Sequence, residues 1–407
     1  MTALSIQNST PGGIATAEHV DSGALLGVYR QPPMTIVRGE GVELHDAEGK
    51  SYIDFTSGIG VNALGYGDAG IEQAMRDAME SGVLHTSNLY FTAPAGRLAA
   101  ELARLSSLDK GFFCNSGAEA NEAAFKFARR WARSTPDASS AKHEIVALRG
   151  AFHGRLFASL AATDRPQYRA PFRPLAGGVR VVERDARSLD RSVNAETTAA
   201  LVVEPVQGEG GIRVLDPAFL RELRDLTAER GVALILDEIQ CGLGRTGWFL
   251  AHQRAGVLPD MVTLAKPLAG GLPMGAVLLS EKIAAAMRPG DHGTTFGGGP
   301  FVASVALHVI ERLADSSLLE HVRDTGAWIG EQLGAIASRT GKVRAVRGIG
   351  YMWGIDVMQP AGEVVSRARE AGLLICGAGE HTLRILPPLI AGRDDLARGL
   401  SILEEVL

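Results

Sequence analysis

Cysteine is scarce in this chain, with three residues, Cys114, Cys241 and Cys376, in a length of 407. Their number is odd, and they lie far apart without metal-site spacing. That argues against a disulfide framework and for a reducing, cytoplasmic setting. Histidines such as His143 and His153 do not recur at ligand spacing, so no metal site is expected. No apolar run approaches the length of a membrane span. The first twenty residues lack both a basic stretch and an apolar core, so no secretory signal is expected. The formal charge of −5 leaves no polyanion footprint, which argues against nucleic acid as a partner. Lysine is also rare, seven against 34 arginines, so each lysine can be judged in turn. What is present is apolar content of 46% and a slightly positive mean hydropathy, enough for a well-filled interior. At this length two domains, or a large α/β core with an appendage, are expected.

One lysine differs from the other six. Val262-Thr263-Leu264-Ala265 is a short apolar run of the kind that makes a buried parallel strand, and it ends on Lys266. Pro267-Leu268-Ala269-Gly270-Gly271 follows, a loop that lets backbone come close to a ligand. Ligands of open α/β sheets collect at the C-terminal ends of strands. The remaining lysines sit in turns, ahead of strands, or on helical patterns.

Along the chain, residues 1–25 are rich in Ser, Thr, Gly and Ala and read as a loose arm. Met34–Val37, Val42–His45 and Tyr52–Phe55 read as a small antiparallel unit. Ser57–Gly67 is a glycine-rich loop, and helical spacing follows over Ile71–Ser81 and Pro94–Leu105. From about residue 110, strands alternate with helices: Gly111–Asn115, Glu144–Leu148, Leu201–Glu204, Val232–Leu236, Met261–Ala265 and Ala276–Leu279 are the strands. Such alternation predicts a mostly parallel sheet covered on both faces. After Gly299-Pro300, long helices over Val302–Leu313 and Leu318–Ala337 lead into an α+β tail that ends in a helix at Arg393–Leu407. The N-terminal strands are expected to join that tail. The domain reading is therefore 56–300 for a large domain, and 26–55 with 301–407 for a smaller one.

Two further strand ends carry chemistry. Phe113-Cys114-Asn115-Ser116-Gly117-Ala118-Glu119 runs from a strand into a helix start. Amides at a helix N-terminus, with a hydroxyl beside them, form a phosphate site, although Ser-Gly before Glu is also an ordinary cap. In Leu234-Ile235-Leu236-Asp237-Glu238-Ile239-Gln240-Cys241-Gly242, Asp237 closes an apolar strand. A carboxylate there needs a cation or a protonated heterocycle, and Arg245 is one available partner. Together, a helix-end phosphate site, a strand-end acid and a strand-end lysine match the needs of pyridoxal 5′-phosphate. The phosphate docks on the helix, the acid faces the ring nitrogen, and the lysine amine condenses with the aldehyde.

On those residues, and on Phe152-His153-Gly154-Arg155, Val203-Glu204-Pro205-Val206-Gln207-Gly208-Glu209-Gly210-Gly211 and Asp291-His292-Gly293-Thr294-Thr295-Phe296-Gly297-Gly298, the chain resembles the class-III aminotransferases from about residue 30 onward. Within the class it is most similar to the acetylornithine aminotransferases, through Gly58–Gly65, His85–Tyr90 and Leu383–Leu389. The resemblance implies the α/β fold type I of pyridoxal-phosphate transferases, with a large, mostly parallel domain and a smaller α+β domain. It implies Lys266 and Asp237 as catalytic residues. It implies cofactor contacts from Ser116, Gly117, Ala118, Phe152, Glu238, Ile239, Gln240 and Thr295, the last reaching a neighbouring subunit's site in a homodimer. Arg155, Thr294, Glu209 and Arg384 would meet substrate. Glu209 would neutralise Arg384 while the amino donor reacts and release it for 2-oxoglutarate; a static ion pair is the other reading. The implied donor is N2-acetylornithine, with ornithine, succinylornithine, 4-aminobutyrate and other ω-amines as alternatives. Gly299, Gly60 and Phe91 depart from the residues usual in the class.

Overall fold

The computed structural model describes residues 24–29, 31–134 and 142–407. Apart from Ala24 and Leu25, the arm expected over residues 1–25 lies outside the described residues. The central sheet is built of seven strands: β1 (Lys110–Cys114), β2 (Glu144–Leu148), β3 (Val179–Val182), β4 (Thr198–Val203), β5 (Ala233–Asp237), β6 (Met261–Leu264) and β7 (Gly275–Leu279). Their spatial order is β1-β7-β6-β5-β4-β2-β3. All run parallel except β7, which is antiparallel to β6 on one side and β1 on the other. The strands β4, β5, β6 and β7 are buried along their whole lengths. They read as unbroken apolar runs because both sheet faces are covered.

Side chains alternate between two apolar cores, as the strand repeat of two requires. Ile145, Ala147, Ile235 and Val277 face one core, while Val146, Leu148, Leu236 and Leu278 face the other. The first core is closed by the helix α1 (Gly117–Ala132), which buries Ala120, Ala123, Ala124 and Ala128 together with Phe125, Phe127 and Trp131. The alanines let the helix lie close to the sheet, and each buried aromatic contributes about 1.5–3 kcal/mol of apolar transfer. Ser116 caps it, its hydroxyl accepting from the Glu119 amide at 3.2 Å. The second core holds Val305 and Val309 of the helix Pro300–Leu313, which also packs on the helices Ala69–Glu80 and Ala93–Ser106.

A second sheet contains β8 (Val343–Ile349), β9 (Met352–Val357), β10 (Cys376–Gly377) and β11 (Thr382–Ile385), antiparallel in the order β8-β9-β11-β10. Near the start of the chain, Ile36–Glu40, Glu43–Asp46 and Ser51–Asp54 form an antiparallel meander. The short strand Leu373–Leu374 pairs parallel with Ser51–Asp54, Leu373 opposite Ile53. That pairing supports our proposal that 26–55 and 301–407 form one unit beside the large unit 56–300.

Several elements differ from the sequence reading. The first strand covers Ile36–Glu40 instead of Met34–Val37. Asp68 starts its helix two residues early by accepting from the Ile71 amide at 2.9 Å. The edge strand β3 was not expected at all: it follows a Pro- and Gly-rich stretch and is half-exposed, so it carries no clear apolar alternation.

Candidate active site

The C-terminal ends of the parallel strands and the start of β7 meet on one edge of the sheet, where open α/β folds collect ligands. Lys266 lies one residue beyond β6, after Ala265, and opens a short turn, Lys266–Ala269. Its φ of 44° is left-handed, a conformation that costs a non-glycine residue about 1–3 kcal/mol and gathers at functional sites. Ser57 and Ile59, with φ of 47° and 62°, are strained in the same sense in the loop that carries Gly60, a residue beside the Lys266 side chain. Burial pushes the Lys266 ammonium below the ordinary lysine value, and the positive charge of Arg384 adds to the effect. A larger share of Lys266 is thereby a free amine, the nucleophilic form.

Asp237 ends β5 and is 4% exposed. Its Oδ2 accepts from Asn121 Nδ2 and from His153 Nδ1, each at 2.7 Å, and its Oδ1 accepts from the Ile239 amide at 3.1 Å. Asn121 is completely buried on α1 and is itself fixed: Nδ2 also donates to the His153 carbonyl at 2.8 Å, and Oδ1 accepts from Thr263 at 2.9 Å. Three N–H groups aimed at one buried carboxylate are complementary to negative charge. Arg245, the other partner open to Asp237 from sequence, is turned elsewhere. Its Nη1 donates to the carbonyls of Tyr351 and Pro387. Glu204 follows β4, the strand next to β5, and is also buried. Burial, with the Asp237 charge next to it, pushes its pKa well above the carboxylate range.

The cap at Ser116 leaves the Gly117 and Ala118 amides at the open end of α1, as the first turn of any helix does. A Cβ on Gly117 would sit 2.8 Å from the Ile239 side chain, so glycine is needed for the strand-end loop to close over the helix start. Asn115 Nδ2 donates to Thr294 Oγ1 at 3.1 Å, which joins Thr294 to this end of the site. On the other side, Arg384 of β11 is 2% exposed, and its Nη1 donates to Glu209 Oε1 at 2.7 Å and to Gln240 Oε1 at 3.3 Å. Phe152 donates its amide to Glu204 Oε2 at 3.2 Å.

Three residues proposed from the sequence stand apart. The buried Glu238 carboxylate turns away from Asp237 and accepts from the amides of Ala251 and His252 and from His252 Nδ1, so it braces the following turn. Arg155 is exposed and stacks on Tyr168, 4.1 Å from the ring centre. Thr295 is exposed, beside the exposed Phe296. Conversely, the supports of Asp237, namely Asn121, His153 and Thr263, were not assigned roles from the sequence. The available signal was a polar residue at an inward helix position, Asn121, in the stripe with Ala120 and Ala124. Among the described residues no group of three or more metal-ligating side chains occurs, and no helix is long and apolar enough to cross a membrane.

A half-buried amine just past one strand end, a donor-braced carboxylate at the next and a helix start with free amides fit a ligand that carries an aldehyde, a cationic ring and a phosphate. The arrangement defines an enzyme of amino-group chemistry. The chain belongs to the family described as Aminotransferase class-III, whose profile matches residues 27–407. It is 42% identical over 382 residues to the acetylornithine aminotransferase of Methanocaldococcus jannaschii, covering 94% of this chain and 95% of that one. It is also 42% identical to the mitochondrial acetylornithine aminotransferase of Alnus glutinosa, over 94% and 85%. Among solved structures it is similar to N-acetylornithine aminotransferase from Stenotrophomonas maltophilia, with TM-score 0.81, 35% identity and coverage of 93% and 96%. The ornithine aminotransferase from Toxoplasma gondii matches with TM-score 0.89, 27% identity and coverage of 95% and 93%.

Proposed function

We propose that this aminotransferase moves the δ-amino group of N2-acetyl-L-ornithine to 2-oxoglutarate, giving N-acetyl-L-glutamate 5-semialdehyde and L-glutamate, as in arginine biosynthesis. The cofactor is pyridoxal 5′-phosphate. When bound, it supplies a carbonyl carbon that takes up the amino group and a cationic ring that draws electrons from the reacting carbon. The Gly117 and Ala118 amides, with Ser116, would hold the phosphate, Phe152 and Ile239 would contact the ring, and Asp237 would pair with its nitrogen. Lys266 has its ammonium destabilised, so its amine serves as base toward the C–H at the donor's amine-bearing carbon and returns that proton as acid. Thr294 lies beside the substrate, and Arg155 would meet the substrate carboxylate by leaving the Tyr168 ring on which it stacks.

The observation that carries this reading is the Glu209–Arg384 pair at 2.7 Å. Arg384 is fixed in a strand and almost fully buried, while the Glu209 side chain is 24% exposed on a loop whose backbone is held by Arg165 donating to the Glu209 carbonyl. Glu209 is therefore the partner that moves. Paired, the site accepts a donor without a second carboxylate at its reacting end; unpaired, Arg384 meets a carboxylate of 2-oxoglutarate.

We place the enzyme in the cytoplasm as a homodimer with shared sites. Exposed Leu84, Leu89, Tyr90, Phe91 and Phe296 offer an apolar surface next to Thr295, which would then serve the partner's phosphate site. Light scattering on the purified protein should give twice the chain mass; a monomer that turns over at full rate contradicts this. A panel of N2-acetylornithine, ornithine, succinylornithine and 4-aminobutyrate, each with 2-oxoglutarate and with glutamate as the readout, tests the donor. A kcat/KM for another donor above that for N2-acetylornithine would replace this assignment. Ornithine is the second reading, favoured by the similarity to ornithine aminotransferase structures.

A further inference from the structure

The guanidinium of Arg384 has a third partner besides Glu209 and Gln240. Cys376 of β10 lies directly opposite Arg384 of β11 in the antiparallel register, and Gly354 of β9 lies opposite on the other side. Residues in one such row share a sheet face. Gly354 has no side chain, so of the two residues paired with Arg384 only Cys376 offers it a side-chain partner. Arg384 Nε donates to Cys376 Sγ at 3.3 Å. The three acceptors differ in kind. Glu209 carries a charge and is partly exposed; Gln240 is a neutral amide on the strand-end loop; the sulfur is a weak acceptor bound to the neighbouring strand.

We propose that Cys376 is a positioning residue for acceptor specificity, holding the Arg384 guanidinium in plane so that it stays aimed at the substrate when Glu209 leaves. This rests on the assignment of Arg384 as the carboxylate-binding group. A guanidinium held only through Nη1 can rotate about its long side chain. An acceptor on Nε fixes the plane of the group and leaves the Nη edge for a carboxylate, which binds best in a planar, two-pronged fashion. A sulfur acceptor does this without the strong charge pairing that a carboxylate would impose in the same place.

The test separates the two half-reactions by single-turnover spectroscopy of the purified holoenzyme, with the donor alone and with 2-oxoglutarate alone. In Cys376→Ala the apparent KM for 2-oxoglutarate should rise about three- to tenfold, while that for the donor changes by less than about twofold. Cys376→Ser, which keeps an acceptor opposite Nε, should restore most of the loss. Cys376→Asp should place a permanent counter-charge beside Arg384 and depress 2-oxoglutarate turnover on the order of a hundredfold, with donor turnover largely retained. Equal changes in both half-reactions for Cys376→Ala, or none in either, would overturn the proposal. Arg384→Gln is the control for the assignment beneath it. If that variant leaves the 2-oxoglutarate KM unchanged, the role of Arg384 itself is wrong. If it raises the KM while Cys376→Ala does not, only the role of the cysteine fails.

Discussion

The bracing of Asp237 gives a prediction with a calculable size. Asn121→Asp keeps the shape of the side chain but replaces the amide that donates to Asp237 Oδ2 at 2.7 Å with a carboxyl oxygen. Two buried carboxylates that close cannot both ionise, so the folded variant must hold a proton that the wild type does not. In the unfolded chain the introduced carboxyl loses that proton near its ordinary value of about 3.9. Between that value and the raised pKa of the pair, the folded state binds one more proton than the unfolded state. Stability then falls as pH rises, by about 1.4 kcal/mol per unit. If the raised pKa lies at or above neutrality, the variant loses roughly 1.5 kcal/mol at pH 5 and about 4 kcal/mol at pH 7 relative to wild type. Urea unfolding of cofactor-free protein at several pH values, variant against wild type, measures this directly. A difference that stays constant from pH 5 to pH 7 would refute the reasoning, because it would mean that no proton is taken up between these groups.

Lys266→Ala should abolish turnover and the visible absorbance of bound cofactor together; turnover near the wild-type rate would remove the lysine from the chemistry. Glu209→Gln should leave Arg384 without its counter-charge, lowering the KM for 2-oxoglutarate and raising that for the amino donor. A charged hydrogen bond of about 1.5–3 kcal/mol converts to roughly ten- to a hundredfold in the ratio of the two, and an unchanged ratio argues for a static ion pair. The lowered pKa of Lys266 has two signs to check. Cofactor capture should level off at a pH below the ordinary lysine value of 10.5, and Arg384→Gln, by removing a neighbouring cation, should move that plateau to higher pH. In the same window the unfolded chain binds the extra proton, so this residue's contribution to cofactor-free stability rises with pH and levels off above 10.5.

Much of the framework can be read from the residues because its physics is local. A strand covered on both faces must be a continuous apolar run, and β4, β5 and β6 are such runs, with Glu204, Asp237 and Lys266 at or within two residues of their ends. The antiparallel β7 cannot be told from its neighbours by pattern, since burial on both faces erases the difference. Residues whose importance depends on long-range geometry are harder to find. Asn121 is one polar residue on an alanine-rich helix, and only the fold brings it to Asp237, 116 residues away in sequence. Glu238 is the converse case. The resemblance places it with the cofactor, while its carboxylate is taken up by His252 and two amides, because side chains of consecutive residues at a strand end point opposite ways. The same alternation explains why Arg384 is at the site while its neighbours Leu383 and Ile385 are core. In β11 only every second residue can look out of the sheet toward Glu209, which puts Arg384 and the Cys376 opposite it on the site face while Leu383 and Ile385 hold the strand in the core.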